Sequence, residues 1–160
     1  MFQRIKKSIA SGLSFGLGSG IITTLGLIVG LHSGTHSKPV IIGAILTIAI
    51  ADSFSDSLGI HIAKESEPGF SPYEVWGASL SALGAKFVFA LTFLLPIIFL
   101  PLFWAIVVSI GWGFFLLGLF SFYLAKQQKR NPWPIIGEHL MIASLVLIIT
   151  HFIGDFIDKF

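Results

Sequence analysis

The chain contains no cysteine, which removes disulfides and thiolate metal sites from its chemistry. Charge is nearly as scarce. Acidic and basic residues make up 11% of the 160 residues, against about 25% in an ordinary soluble domain. No stretch alternates apolar and polar residues in the manner of a half-buried strand. Phosphate-binding loops, nucleotide motifs and a nucleic-acid surface are all missing, so no nucleic acid is expected as a partner. What remains is hydrophobic: 54% of residues are apolar and 14% aromatic, with a mean hydropathy of +0.90. So little polar surface suits only an integral membrane protein, whose first partner is the lipid bilayer.

Crossing the hydrocarbon layer takes about 20 apolar residues at about 1.5 Å each. Five stretches qualify, at about 8–31, 39–63, 73–98, 102–126 and 133–157, within a single membrane domain over 1–160. They must be helices, because lipid satisfies no backbone group, so the expected fold is all-α with five transmembrane helices. The opening Met-Phe-Gln-Arg-Ile-Lys-Lys looks like a signal n-region. The apolar run behind it is too long for an h-region and has no evident cleavage site, so it reads as a retained span. Arg4, Lys6 and Lys7 precede the first span, Lys64 follows the second, and Lys126, Lys129 and Arg130 follow the fourth. With five crossings these fall on one side, and only Lys38 and Lys159 on the other. The positive side faces the cytoplasm, which places the N-terminus inside and the C-terminus outside. The compact form without a targeting extension leads to the expectation of a prokaryotic plasma membrane.

Gly12, Gly16 and Gly20 recur every four residues in the first span. Such a stripe admits another helix at close range. It serves either a homodimer through this helix, a pore lining, or packing within one subunit. The connection 31–38, with His32 and His36, reads as a solvated loop because glycine lies between the histidines. Pro68-Gly69 stop the second span, and Ser71-Pro72-Tyr73-Glu74 reads as a capping box with proline at the first helical position. Pro96 and Pro101 bracket a short turn over 97–100 before the fourth span.

The chemistry concentrates in residues 48–67. Asp52 and Asp56 lie midway along an apolar span, where a carboxylate costs about 2.5–3.5 kcal/mol on insertion scales. Their i, i+4 spacing stacks them on one helical face. Lys86 lies at similar depth in the third span, so it is expected to pair with one of them. Ser53 adds a hydroxyl on the same helix as the acids, and Ser19 adds one near mid-depth of the first span. A second cluster, His61, Glu65 and Glu67 with Glu138 and His139, is placed on the cytoplasmic side, where it would collect divalent cations or simply be solvated. His151 and Asp155 repeat the i, i+4 spacing on the outer side as a candidate exit.

The chain resembles the vacuolar iron transporter family, whose members move ferrous or manganous ions out of the cytosol. The family's first helix reads Asp-Gly-x-x-Thr-Thr-x-Gly-Leu-Val-x-Gly. The matching run is Ser19-Gly20-Ile21-Ile22-Thr23-Thr24-Leu25-Gly26-Leu27-Ile28-Val29-Gly30. The second helix, Ala-Gly-Ala-x-Ser-Met-x-x-Gly in the family, is matched by Ala51-Asp52-Ser53-Phe54-Ser55-Asp56-Ser57-Leu58-Gly59, followed by Ser66-Glu67. A third helix ending in Leu94-Leu95-Pro96-Ile97-Ile98-Phe99-Leu100-Pro101 is similar as well. The departures fall where metal would bind. Ser19 stands for the family's Asp, Asp52 for a Gly and Asp56 for a Met, and the cytoplasmic metal-binding helices are replaced by a short loop. The resemblance implies the fold and a dimer with first helices at the interface.

Carboxylates in place of a thioether shift a site toward harder cations such as Mn, Mg or Ca. The expected function is therefore export of a divalent cation, Fe(II)- or Mn(II)-like, coupled to protons. The cation is substrate rather than resident cofactor, and Lys86 acts as a coupling group or salt-bridge partner. Two other readings stay open: a non-transporting scaffold with a structural Asp–Lys pair, and an intramembrane aspartyl protease. The latter requires two carboxylates facing each other from different helices, and is disfavoured because both acids lie on one. No enzymatic activity is expected.

Overall fold

The computed structural model describes residues 2–160, and among them there is no strand. Six helices follow in order: α1 (Phe2–Thr35), α2 (Lys38–Ser66), α3 (Pro72–Thr92), α4 (Leu94–Phe99), α5 (Leu102–Gln127) and α6 (Pro132–Ile157). Taking α3 and α4 as one broken span, five are long and apolar enough to cross a membrane. Phe54, Leu58, Trp104 and Phe152 are each more than half exposed on their surfaces. Helices apolar even on their outward faces belong in lipid. The protein is an all-α membrane protein.

The helices run beyond the expected span limits at several ends, and two connections differ from the sequence reading. The stretch 31–38 is not a loop: α1 continues to Thr35, leaving His36 and Ser37 as the link. His36 makes the turn at φ +49°. Glycine does not break α1 here, because Gly30 and Gly34 give α6 close access. A Cβ on Gly34 would lie 3.2 Å from the Gly154 carbonyl oxygen. Nor is 97–100 a turn, since Ile97, Ile98 and Phe99 belong to α4. The interruption falls earlier, at Phe93. Pro96 has no N–H to offer the carbonyl four residues back, on Thr92, and its ring crowds that group. Phe93 keeps helical dihedrals (φ −72°, ψ −17°), so the chain is only nicked there. Leu100 turns extended (φ −108°, ψ 155°), as the residue before a proline must.

The chain forms two compact units, one comprising residues up to Gly20 with Ile45–Thr92, the other Ile21–Ala44 with Phe93–Phe160. In the first, the glycine stripe of α1 meets alanines at the same spacing on α3. A Cβ on Gly12 would overlap the Ala78 carbonyl oxygen, and one on Gly16 that of Ala82. Gly20 comes next along the stripe, where a Cβ would lie 3.2 Å from Lys86 Cα. Small residues on both sides let the backbones approach closely, and this contact sets where Lys86 meets α1. Of the three uses open to the stripe, packing within one subunit is the one this contact displays. At the start of α3, Ser71 N–H donates to Glu74 Oε2 at 2.9 Å and Ser71 Oγ donates to the same oxygen at 2.7 Å. One half of the expected capping box, Glu74 on the Ser71 N–H, is thus present, while the Glu74 N–H goes to the Ser71 carbonyl at 2.9 Å rather than to its hydroxyl. Arg4 Nε binds the other carboxylate oxygen at 2.9 Å.

The second unit is built on Ile21, Leu25, Ile28, Ile41, Phe93 and Ile97, all essentially sealed from solvent. Gly113 of α5 makes room for Leu25. Lys38 Nζ donates to the carbonyls of Ile98 (2.8 Å) and Leu100 (3.0 Å), satisfying acceptors that the end of α4 leaves open.

Candidate functional site

The first unit brings both acids of α2 and the lysine of α3 to one point. Lys86 is 1% exposed, and its Nζ donates to Asp56 Oδ2 at 2.6 Å and to Ser19 Oγ at 2.9 Å. It also forms an ion pair with Asp52 Oδ2, in an orientation without hydrogen-bond geometry. Ser19 Oγ passes its own proton toward Asp56 Oδ2, 2.6 Å away. The ammonium thus makes two hydrogen bonds, to a carboxylate and a hydroxyl, and a further ion pair with the second carboxylate. The sequence reading paired Lys86 with one acid; the structure gives it both.

Three features of the sequence produce this cluster. The i, i+4 spacing puts Asp52 and Asp56 on one face of α2. The Gly–Ala contact draws α3 against α1. Ser19, one residue before Gly20, then reaches the ammonium from α1. The carboxylates are not sealed, since the side chains of Asp52 and Asp56 remain 31% and 20% exposed while that of Lys86 is 2% exposed. With all three groups ionised the charges sum to −1.

Ser53 does not join them. It turns to the buried side of α2, where its hydroxyl has no hydrogen-bond partner. One turn on, Ser57 Oγ donates to the Ser79 carbonyl at 2.9 Å. Ser79 Oγ donates to the Val75 carbonyl at 2.8 Å and lies 3.2 Å from His61 Nδ1. The His61 ring meets Trp76 edge-on with centroids 4.6 Å apart, and its Nε2 is 3.9 Å from Glu65. His61 is therefore held by α3, with Glu65 as its one carboxylate, while Glu67 is exposed beyond the helix end.

In the second unit, His139 Nδ1 lies 2.7 Å from the buried Ser121 Oγ, and Glu138 is exposed. His151 pairs with Asp155 at 3.6 Å and its other ring nitrogen contacts Ser33 Oγ. The rings of His32 and His36 are 5.3 Å apart between centroids. Among the described residues, no three His, Asp or Glu side chains form a group able to hold a metal ion. The carboxylate-rich centre is the Asp52–Asp56 pair, with the Lys86 ammonium held against both carboxylates.

Sequence reasoning missed the link from Arg4 to Glu74, which joins residues 70 apart in the chain and has no short-range signature. It also missed Ser79, whose signal was available: a serine on the small-residue side of α3, level with His61.

No family model matches the chain, and no curated protein matches it.

Proposed function

We propose that the protein is a membrane transporter exporting a divalent cation from the cytosol, with Asp52 and Asp56 as the transient cation ligands and Lys86 as an internal substitute for the cation. The observation that carries this reading is the convergence of two partly exposed carboxylates on one fully buried ammonium. A single structural bridge needs one carboxylate. The second leaves an excess negative charge at a depth where uncompensated charge is costly. A cation on the two carboxylates would take away the partners of Lys86. A buried ammonium without partners is strongly disfavoured, so charge balance couples cation loading to departure of a proton. Oxygen ligands suit manganous or ferrous ions no less than magnesium or calcium. The family resemblance at residues 19–30 and 51–59 supports the same reading, as does the cytoplasmic placement of Arg4, Lys7, Lys64 and Lys129 by the distribution of positive charge. In this orientation the N-terminus is cytoplasmic and the C-terminus outside.

One observation favours a second reading, a scaffold that transports nothing: Lys86 already donates to Asp56 and Ser19 and is ion-paired with Asp52. Uptake into proteoliposomes separates the two. Mn, Fe(II), Co, Mg and Ca are offered with and without a pH gradient, to wild type and to Asp52→Asn, Asp56→Asn and Lys86→Met. Gradient-stimulated uptake of one ion, reduced at least about tenfold in all three variants, is the expected result. Well-folded wild type that takes up none of the ions would leave the scaffold.

A further inference from the structure

The first unit carries a second charged feature, remote in sequence from Asp52 and Asp56, where α1 begins, α2 ends and α3 begins. A cleft of about 340 Å³ opens there, lined by Arg4, Lys7, Ser8, Lys64, Phe70 and Glu74. Three of these side chains are cationic and one is a carboxylate. The carboxylate is already engaged, with Oε1 on Arg4 and Oε2 on Ser71. Arg4 spends two N–H groups on Glu74 and the Gly69 carbonyl, and a guanidinium has three more to offer. Lys64 sits over the Phe70 ring, 4.5 Å from its centroid. Among the described residues, no carboxylate pairs with Lys7 or Lys64. The walls therefore hold an uncompensated charge of +2, with the 3%-exposed Ser8 contributing to the lining.

We infer that this cleft binds a phosphate group, and that the source is the headgroup of an anionic phospholipid. Its volume falls in the range of small-ligand sites. Lysine and arginine are the side chains that bind phosphate, and basic pockets between transmembrane helices at the bilayer surface accept anionic headgroups. The site lies at the ends of three apolar helices, so a headgroup seated in it leaves its acyl chains along their outward faces. Gly69, at φ +95°, holds the α2–α3 turn in a left-handed conformation and presents its carbonyl to Arg4 at 2.5 Å. This keeps the guanidinium in the cleft wall.

Native mass spectrometry of the full chain in neutral detergent tests the inference, using phosphatidylglycerol, phosphatidylcholine and inorganic phosphate as probes. Wild type is expected to retain one phosphatidylglycerol under conditions that strip phosphatidylcholine. Replacing two basic groups, in Lys7→Gln/Lys64→Gln, should weaken that retention about 30-fold, and Lys64→Gln alone about fivefold. A control with the same charge change elsewhere, Lys126→Gln/Lys129→Gln, should alter it less than about threefold. Displacement of the lipid by inorganic phosphate would uphold the phosphate site while assigning it to the free anion. Resistance to displacement assigns it to the lipid headgroup. Equal retention of the two lipids by wild type, with no phosphate bound, overturns the inference. So does a control variant that loses as much as the cleft variant.

Discussion

Removing both carboxylates should be far worse for the protein than removing the carboxylates and the lysine together. Asp56→Asn deletes one charge-assisted bond of Lys86, worth about 1.5–3 kcal/mol for a charged partner. Because the Asp56 side chain is 20% exposed and that of Asp52 31%, the lower part of that range applies to each single variant. In either single variant Lys86 keeps the other acid. Asp52→Asn/Asp56→Asn strands an ammonium whose side chain is 2% exposed, and breaking a buried pair by removing one side costs about 3–5 kcal/mol. Adding Lys86→Met removes the stranded charge and keeps the volume. Exchanging a whole buried ionic cluster for apolar or neutral groups is often neutral or better, so the triple variant should return to within about 1–2 kcal/mol of wild type. The assay is equilibrium unfolding in mixed micelles, followed by helical circular dichroism across the wild type, singles, double and triple. A double variant as stable as wild type, or a triple less stable than the double, refutes the assignment of Asp52 and Asp56 as the partners that make Lys86 tolerable. The triple variant also separates architecture from activity, since it should fold and transport nothing.

Gly16→Ala drives a methyl into the Ala82 carbonyl and should cost about 1–3 kcal/mol in the same unfolding assay. Gly18→Ala, with nothing within 4 Å of its Cβ, should gain up to about 1 kcal/mol; equal effects at the two positions would contradict the α1–α3 contact. The absence of cysteine makes orientation directly measurable. With a membrane-impermeant maleimide on right-side-out vesicles, Lys159→Cys should label at once and Lys7→Cys and Lys129→Cys only after permeabilisation. The opposite pattern reverses the proposed topology.

The five spans were legible because an apolar run of about 20 residues has few alternatives. The pairing of Lys86 was legible because a lone ammonium among apolar residues demands a partner, and only Asp52 and Asp56 lie near its depth. That it takes both acids follows from their sharing one face of α2, and that Ser19 joins them depends on how closely α1 approaches α3. This in turn rests on Gly12 and Gly16 finding Ala78 and Ala82, a match between segments distant in sequence. Gly34 misled for the same reason. Taken alone it suggests a break in α1, whereas Gly154 turns it into a contact point. At Pro96 the proline signal was right in kind and displaced in position, because the backbone group that it disturbs lies a turn upstream.

The charge cluster also bears on the order in which the chain enters its membrane. Asp56 precedes Lys86 by 30 residues, so α2 leaves the ribosome with its two carboxylates before their counter-ion has been made. Each carries an insertion cost of about 2.5–3.5 kcal/mol at mid-depth, and Ser19 on α1 is the one partner of the cluster already synthesised. Alone, α2 is a poor substrate for insertion, and α3 with its lysine is another. As a hairpin the two neutralise most of each other's cost. On these costs α2 and α3 would enter the bilayer more cheaply together than singly, joined by the short turn at Pro68–Gly69.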